Sequence, residues 1–167
     1  MKFTFVPEYR FETFDKASAE FLTEKGIEGI ILDIDNTLEP YEHPNPGEHV
    51  IKWLESLSAA GIKAAIVSNN GKERVELFNK DLGLPAYYKA KKPFKKNLIN
   101  AMADMGTLPN ETALMGDQVF TDVWAAHNAK ITAILVPPIN DKRDIFTKFK
   151  RLLEKPIIKK YEKRNNK

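Results

Sequence analysis

The 167-residue chain contains no cysteine. Disulfides, thiolate metal sites, iron–sulfur clusters and thiol nucleophiles are excluded together, so any reactive side chain is oxygen- or nitrogen-based. Long apolar runs are missing too. None exceeds five or six residues, against the roughly 20 needed to cross a bilayer, and Met1 is not followed by the apolar core of a signal peptide. A cytoplasmic protein is expected. Internal repeats are absent, and the only low-complexity stretch is the polar end, Lys159 to Lys167. What is present is ordinary for a soluble domain: 43% hydrophobic and 29% charged residues, enough to fold around one core and too apolar for disorder.

Charge is unevenly spread. The net charge is +3, but residues 142–167 hold 11 Lys/Arg against 3 Asp/Glu, a local surplus of +8 that leaves the other 141 residues at −5. A basic end on a mildly acidic body suits an anionic partner such as phospholipid headgroups, RNA or an acidic protein face. A solvated last helix with a frayed end accounts for it equally well.

From residue 27 onward, short apolar runs alternate with segments of helical period, the pattern of βα units on a parallel sheet. Five strands are expected: Gly29 to Leu32, Ala64 to Val67, Ala86 to Tyr88, Thr112 to Met115 and Ile131 to Val136. Between them, Val50, Trp53, Leu54 and Leu57 mark one helix, Val75, Leu77 and Phe78 a second, Phe94, Leu98, Met102 and Met105 a third, and Thr121 to Ala129 a fourth. A last helix is expected to begin near Asp144 with Ile145, Phe149, Leu152 and Leu153 on one side. The whole reads as one doubly wound α/β domain, 1–167. Residues 1–26 form a helical extension with a helix over Phe11 to Phe21, and 155–167 form a basic, mobile tail.

Four segments fall where a strand gives way to a loop, the side on which open α/β sheets bind ligands. The first is Asp33-Ile34-Asp35-Asn36-Thr37. Carboxylates at the end of a buried strand cost free energy unless a cation or N–H donors compensate them; otherwise Asp35 and Asn36 only shape the next turn. The second is Ser68-Asn69-Asn70, whose hydroxyl and backbone N–H groups could face an anion or cap the next helix. The third is Lys92-Pro93, within a run of five lysines in eight residues from Lys89 to Lys96. One of the five could neutralise a phosphoryl group, the rest reading as solvated charge. The fourth is Gly116-Asp117-Gln118-Val119-Phe120-Thr121-Asp122, which adds two carboxylates five residues apart. Hard oxygen ligands of this kind suit Mg²⁺.

The order Asp-x-Asp-x-Thr, Ser, Lys-Pro, Gly-Asp-x-x-x-x-Asp, over residues 27–137, resembles the four motifs of the haloacid dehalogenase superfamily of phosphatases. The wording around Asp33 and Asp117 is similar to the YqeG-type branch of subfamily IIIA, itself similar to organellar phosphatidylglycerophosphate phosphatases. The resemblance implies a Rossmann-like three-layer sandwich around the five-stranded sheet. It also implies an Mg²⁺-dependent phosphomonoester hydrolase working through an aspartyl-phosphate. Asp33 would be the nucleophile, Asp35 the acid/base, and Lys92 the group offsetting negative charge. Thr37, which would orient Asp35 or nearby backbone, Ser68 and Asn69 would form the substrate side. Asp33, the Asp35 carbonyl, Asp117 and Asp122 would hold the metal.

Only 30 residues separate Thr37 from Ser68 and 23 separate Ser68 from Lys92, so no inserted cap domain fits. A capless site points to a large substrate, such as a lipid phosphate at the inner face of a membrane, or to a lid supplied by a second copy in a homo-oligomer. A phosphoprotein, nucleotide or sugar phosphate remains an alternative, as does an RNA- or protein-binding adaptor with little turnover. A receiver domain fits less well, because its lysine follows the acidic residues that here come last. His43 and His49 are expected at the surface.

Overall fold

The computed structural model describes residues 5–140 and 145–165. Its strands are β1 (Tyr9–Arg10), β2 (Gly29–Leu32), β3 (Lys63–Val67), β4 (Ala86–Tyr87), β5 (Thr112–Gly116) and β6 (Thr132–Leu135). Its helices are α1 (Ala19–Glu24), α2 (Glu48–Ala59), α3 (Lys72–Asn79), α4 (Lys96–Met105), α5 (Trp124–Ala129) and α6 (Ile145–Asn165). The strands form one sheet in the order β1-β6-β5-β2-β3-β4, every pair parallel.

Strand β2 is central and apolar on both faces, as a strand covered by helices on each side must be. Successive residues point to opposite faces. Ile30 and Leu32 join one cluster with Leu22, Trp53, Leu57 and Phe78 from α1 to α3. Ile31 joins a second with Leu98, Met102, Ala125 and Ala126 from α4 and α5. The result is the expected helix–sheet–helix sandwich. Leu32 is level with Ile66 of β3 and Met115 of β5, so the chain leaves all three strands at nearly the same height. The residues that follow, at 33, 68 and 117, therefore share one edge, at the point where the strand order reverses.

Several elements differ from expectation. The sheet has a sixth strand, because Glu8 and Phe11 donate their N–H groups to Ala133 and Leu135 at 3.0 and 3.1 Å and lay β1 along the β6 edge. The helix expected over Phe11 to Phe21 is instead a single turn, Phe14–Lys16, followed by α1. The Ser18 hydroxyl accepts from Phe21 N at 3.2 Å and starts α1 anew, while Tyr9 and Phe11 pack edge-on against Phe21 at ring separations of 5.0 Å. Phe94 precedes α4 and is exposed, as is Leu77 on the outer face of α3.

The segment 155–167 is not a tail as far as Asn165: it is the second half of α6. Tyr161 Oη accepts from Arg10 N at 3.0 Å, and Arg164 donates to Pro7 O at 2.8 Å, so the helix is tied to the N-terminal segment. The expected helix start near Asp144 lies outside the described residues, as do the side chains of Ile145 and Phe149. Leu152 and Leu153, expected inward, are 57% and 47% exposed. The inward face instead carries Arg151 and Glu154, bonded to a loop of the body, and Ile157 and Ile158, packed on the second cluster.

Leu57 on α2 is fully buried in the first cluster. Truncation by Leu57→Ala should cost about 2–5 kcal/mol of unfolding free energy in urea titration; a loss below about 1 kcal/mol would contradict this packing.

Candidate active site

Two left-handed lysines and one asparagine decide which of the five clustered lysines enters the protein. Lys89 and Lys91 adopt φ of +44° and +56°, winding the chain tightly beyond β4. Lys89 N and Ala90 N donate to Asn70 O and Ser68 O at 2.7 and 3.0 Å, zipping this loop to the end of β3. The Asn69 carboxamide then clamps the Lys92 backbone, accepting from Lys92 N at 2.7 Å and donating to Lys92 O at 3.2 Å. Asn69, expected on the substrate side, makes this clamp with its amide and also lines the cavity above the site. Lys92 is left almost wholly buried, with Nζ 3.0 Å from Asp33 Oδ1 and 2.7 Å from Asp122 Oδ1.

Asp122 reaches that position through a π-type turn, Val119–Val123, that follows β5. Its Oδ2 accepts from Gln118 N at 3.0 Å. A Cβ at Gly116 would fall on the Asp122 side chain, so only glycine allows strand and carboxylate to pass. One carboxylate oxygen from each of Asp33, Asp117 and Asp122 lies within 4.8 Å of the others, all three residues buried. Asp33 and Asp117 thus face a common point. The donors are hard oxygens at the spacing a small divalent cation bridges, and their charge exceeds what Lys92 returns, so these residues fit a metal ion.

Burial pushes the Asp33 carboxyl from 3.8 up to about 7; Lys92 pulls it down, but the charges of Asp122 and Asp117 push it further up. Burial alone would lower the Lys92 ammonium, yet the carboxylates of Asp122 and Asp33 outweigh it and hold that pKa above its ordinary value.

Above this floor opens a cavity of about 270 Å³ lined by Asp33, Asp35, Tyr41, Ser68, Asn69 and Gln118 among others. Ser68 Oγ accepts from Asn70 N at 3.1 Å, which leaves its hydroxyl hydrogen available to a ligand. Asp35 is held on both oxygens: Arg74 Nε donates to Oδ1 at 3.0 Å and Asn70 Nδ2 to Oδ2 at 2.9 Å. Thr37, expected to orient Asp35 or nearby backbone, donates to Asp117 Oδ1 at 3.4 Å. His43 and His49 are surface residues, more than half exposed, whose rings meet the buried Glu39 at 3.1 and 3.4 Å. With the amide of Gly47 at 2.7 Å on the same carboxylate, they close the base of the loop that carries Tyr41.

Residues 11–136 match the haloacid dehalogenase-like hydrolase family. The chain belongs to this family. It is 36% identical over 158 residues to a protein described as "Probable phosphatase YqeG" from Bacillus subtilis (strain 168), covering 95% of this chain and 92% of that one. The fold is shared with an uncharacterized protein from Listeria monocytogenes serotype 4b (TM-score 0.55, 20% identity, 71% of this chain and 85% of the other). It is shared too with the cobalt-bound deoxy-D-mannose-octulosonate 8-phosphate phosphatase YrbI from Haemophilus influenzae (TM-score 0.55, 15% identity, 83% and 91%).

Against that family background, the structure adds site residues with no sequence signal of their own. Arg74 sits in the first turn of α3 and reads as a solvated helix charge, yet it joins Asp35 to Pro44 O, to which it donates at 2.8 Å. Arg151 and Glu154 lie in a basic stretch 29 and 32 residues beyond Asp122, the end of the last motif, and only the docking of α6 brings them in.

The raised Asp33 pKa sets a pH dependence. Folded Asp33 keeps a proton that the unfolded chain has lost between about pH 4 and pH 7, so this contribution to stability is present below pH 4 and disappears as pH rises through about 7. In EDTA, Asp33→Asn should raise stability at pH 8 and leave it nearly unchanged at pH 4. Calorimetric melting at the two pH values checks this; equal shifts at both would contradict it.

Proposed function

We propose that the protein is a Mg²⁺-dependent phosphomonoester hydrolase acting through an aspartyl-phosphate at Asp33, on phosphatidylglycerophosphate or another large or lipid-borne phosphate. One observation carries the reading. Asp33 stands against Lys92 on the floor of an open cavity, with Asp117 and Asp122 beside it and Asp35 and Ser68 on the walls.

In the first displacement an Asp33 oxygen bonds to phosphorus as the ester P–O bond breaks, and Asp35 delivers a proton to the departing oxygen. In the second, water attacks phosphorus, Asp35 takes its proton, and the Asp33 carboxylate departs to leave orthophosphate. Asp35 must exchange an N–H donor from Arg74 or Asn70 to do this, since both its oxygens are engaged in the free protein. Ser68 donates to a phosphoryl oxygen, and Lys92 stabilises charge gathering on the phosphoryl group. Mg²⁺, held by Asp33, the Asp35 carbonyl, Asp117 and, directly or through water, Asp122, would screen the repulsion between carboxylate and phosphate.

What surrounds the cavity supports a large substrate. A 15-residue loop, 33–47, is all that separates β2 from α2, and no cap domain is present among the described residues. Among the described residues, no helix is long and apolar enough to cross a membrane. The outer face of α6 exposes Lys155, Lys159, Lys160 and Lys163 beside Leu152 and Leu153, a combination suited to docking at an anionic bilayer surface.

With p-nitrophenyl phosphate, activity should require Mg²⁺, and Asp33→Asn should lower kcat by at least about 10³-fold while the variant still melts cooperatively; comparable turnover by the variant would remove Asp33 from the chemistry. A substrate panel with phosphatidylglycerophosphate beside nucleotides and sugar phosphates should give the highest kcat/KM for the lipid. Replacing Lys155, Lys159, Lys160 and Lys163 together by Gln should weaken co-sedimentation with phosphatidylglycerol vesicles by about tenfold or more and spare p-nitrophenyl phosphate hydrolysis. Unchanged sedimentation would remove α6 as the membrane contact.

A further inference from the structure

We infer that Arg151 and Glu154 of α6 are positioning residues that set the metal affinity of the site by holding Asp117 and the loop behind it. The inference rests on the metal-dependent reading above and assigns to the C-terminal helix a role in that reading.

Asp117 is buried and bonded from two sides. Thr37 Oγ1 meets its Oδ1 at 3.4 Å, while the Arg151 guanidinium donates through Nη2 to its Oδ2 and through Nη1 to its main-chain carbonyl. Nη1 also meets Glu154 Oε2 at 3.0 Å, and Glu154 Oε1 accepts from Val119 N at 2.9 Å. Two residues of one helix thus hold the carboxylate, the carbonyl behind it, and the amide two residues on. A planar fork fixes direction as well as distance, which a lysine in the same place could not do.

The pair does not read as incidental surface charge. Glu154 is only 2% exposed, and burial raises its carboxyl pKa against the pull of Arg151. An ion pair taken this far out of water persists only where its geometry is matched. A competing idea is that Arg151 takes the place of the cation. It is disfavoured because Arg151, though paired with Asp117 Oδ2, is shared with the Asp117 carbonyl and Glu154, whereas Lys92 is the cation between Asp33 and Asp122. Outer hydrogen bonds to a ligating carboxylate orient it and are worth roughly 10–100-fold in metal affinity.

The test is calorimetric titration of Mg²⁺ into the EDTA-stripped, dialysed full-length protein, run beside the Mg²⁺ dependence of p-nitrophenyl phosphate hydrolysis. Arg151→Gln should raise both the Mg²⁺ Kd and the half-saturating Mg²⁺ by about 10–100-fold, with kcat at saturating Mg²⁺ within about threefold of wild type. Glu154→Gln should move both in the same direction by less, and Arg151→Lys should recover part of the loss. If Arg151→Gln fails to melt cooperatively in EDTA, Arg151→Lys and Glu154→Gln decide the matter by the same two readouts. Unchanged Mg²⁺ affinity in the folded variants would reduce α6 to packing, and tighter binding would make Arg151 a competitor of the metal; either overturns the inference alone. A wild-type protein that binds no Mg²⁺ would overturn the cofactor proposed above and this inference with it.

Discussion

Three carboxylates and one ammonium share a buried floor at the end of the sheet, and the rest of the site is arranged around that imbalance. Lys92 touches Asp33 and Asp122 at 3.0 and 2.7 Å and Arg151 reaches Asp117 from α6, so the three carboxylates still exceed the two cations. In a low-dielectric interior such a surplus is expensive, and a protein can answer it by bringing in donors, by raising a pKa or by binding a cation. The first two answers are visible here. Arg151 and Thr37 attend Asp117, the Gln118 amide attends Asp122, and Asp33 carries the upward shift. Asp33 is the one a cation would relieve most, and it is also the one whose oxygen opens onto the cavity.

That arrangement explains which parts of the site were legible in the chain and which were not. Short continuous apolar runs flanked by helical segments place Asp33, Ser68 and Asp117 at strand ends, because strand register alone sets those heights. Local order along the chain likewise placed Asp122 one turn beyond Asp117. The choice of Lys92 among its four neighbours came from motif resemblance, but its physical cause is the Asn69 clamp and two left-handed lysines, neither visible in composition or period. A polar residue beside a motif has several partners in reach: Asn69 lines the cavity while its amide clamps the Lys92 backbone, and Thr37 meets Asp117.

The misread elements share another cause. Phe11, Phe14 and Phe21 have the spacing of a helix face, yet β1 gains hydrogen bonds along the open edge of β6, and Ser18 caps a later helix start. Long-range pairing overrode local pattern there. In α6, Leu152 and Leu153 look like the inward face because they are apolar. Burying Arg151 and Glu154 instead costs desolvation, but it supplies the donors and acceptors that Asp117 and Val119 need, and the longer apolar pair Ile157 and Ile158 still packs on the body. A helix that serves a polar loop cannot be found from hydrophobic period alone.

Helix α6 thus faces two ways, and the two faces lie within one turn of each other. Arg151 and Glu154 point to the loop of Asp117, while Lys155, next in the chain, is exposed with Lys159, Lys160 and Lys163. Shortening the helix from its end would break the bonds of Tyr161 to Arg10 and of Arg164 to Pro7 as well as remove charge, so loss of membrane attraction and loss of helix docking would be confounded. Side-chain neutralisation at the exposed lysines keeps the docking bonds and changes only the field that an anionic surface feels. Substitution at Arg151 or Glu154 does the reverse. Among the described residues, the positive charge of this stretch, which in the sequence reads as one feature, therefore resolves into exposed lysines that can meet an anionic partner, Arg164 tied to Pro7, and Arg151 committed to the site.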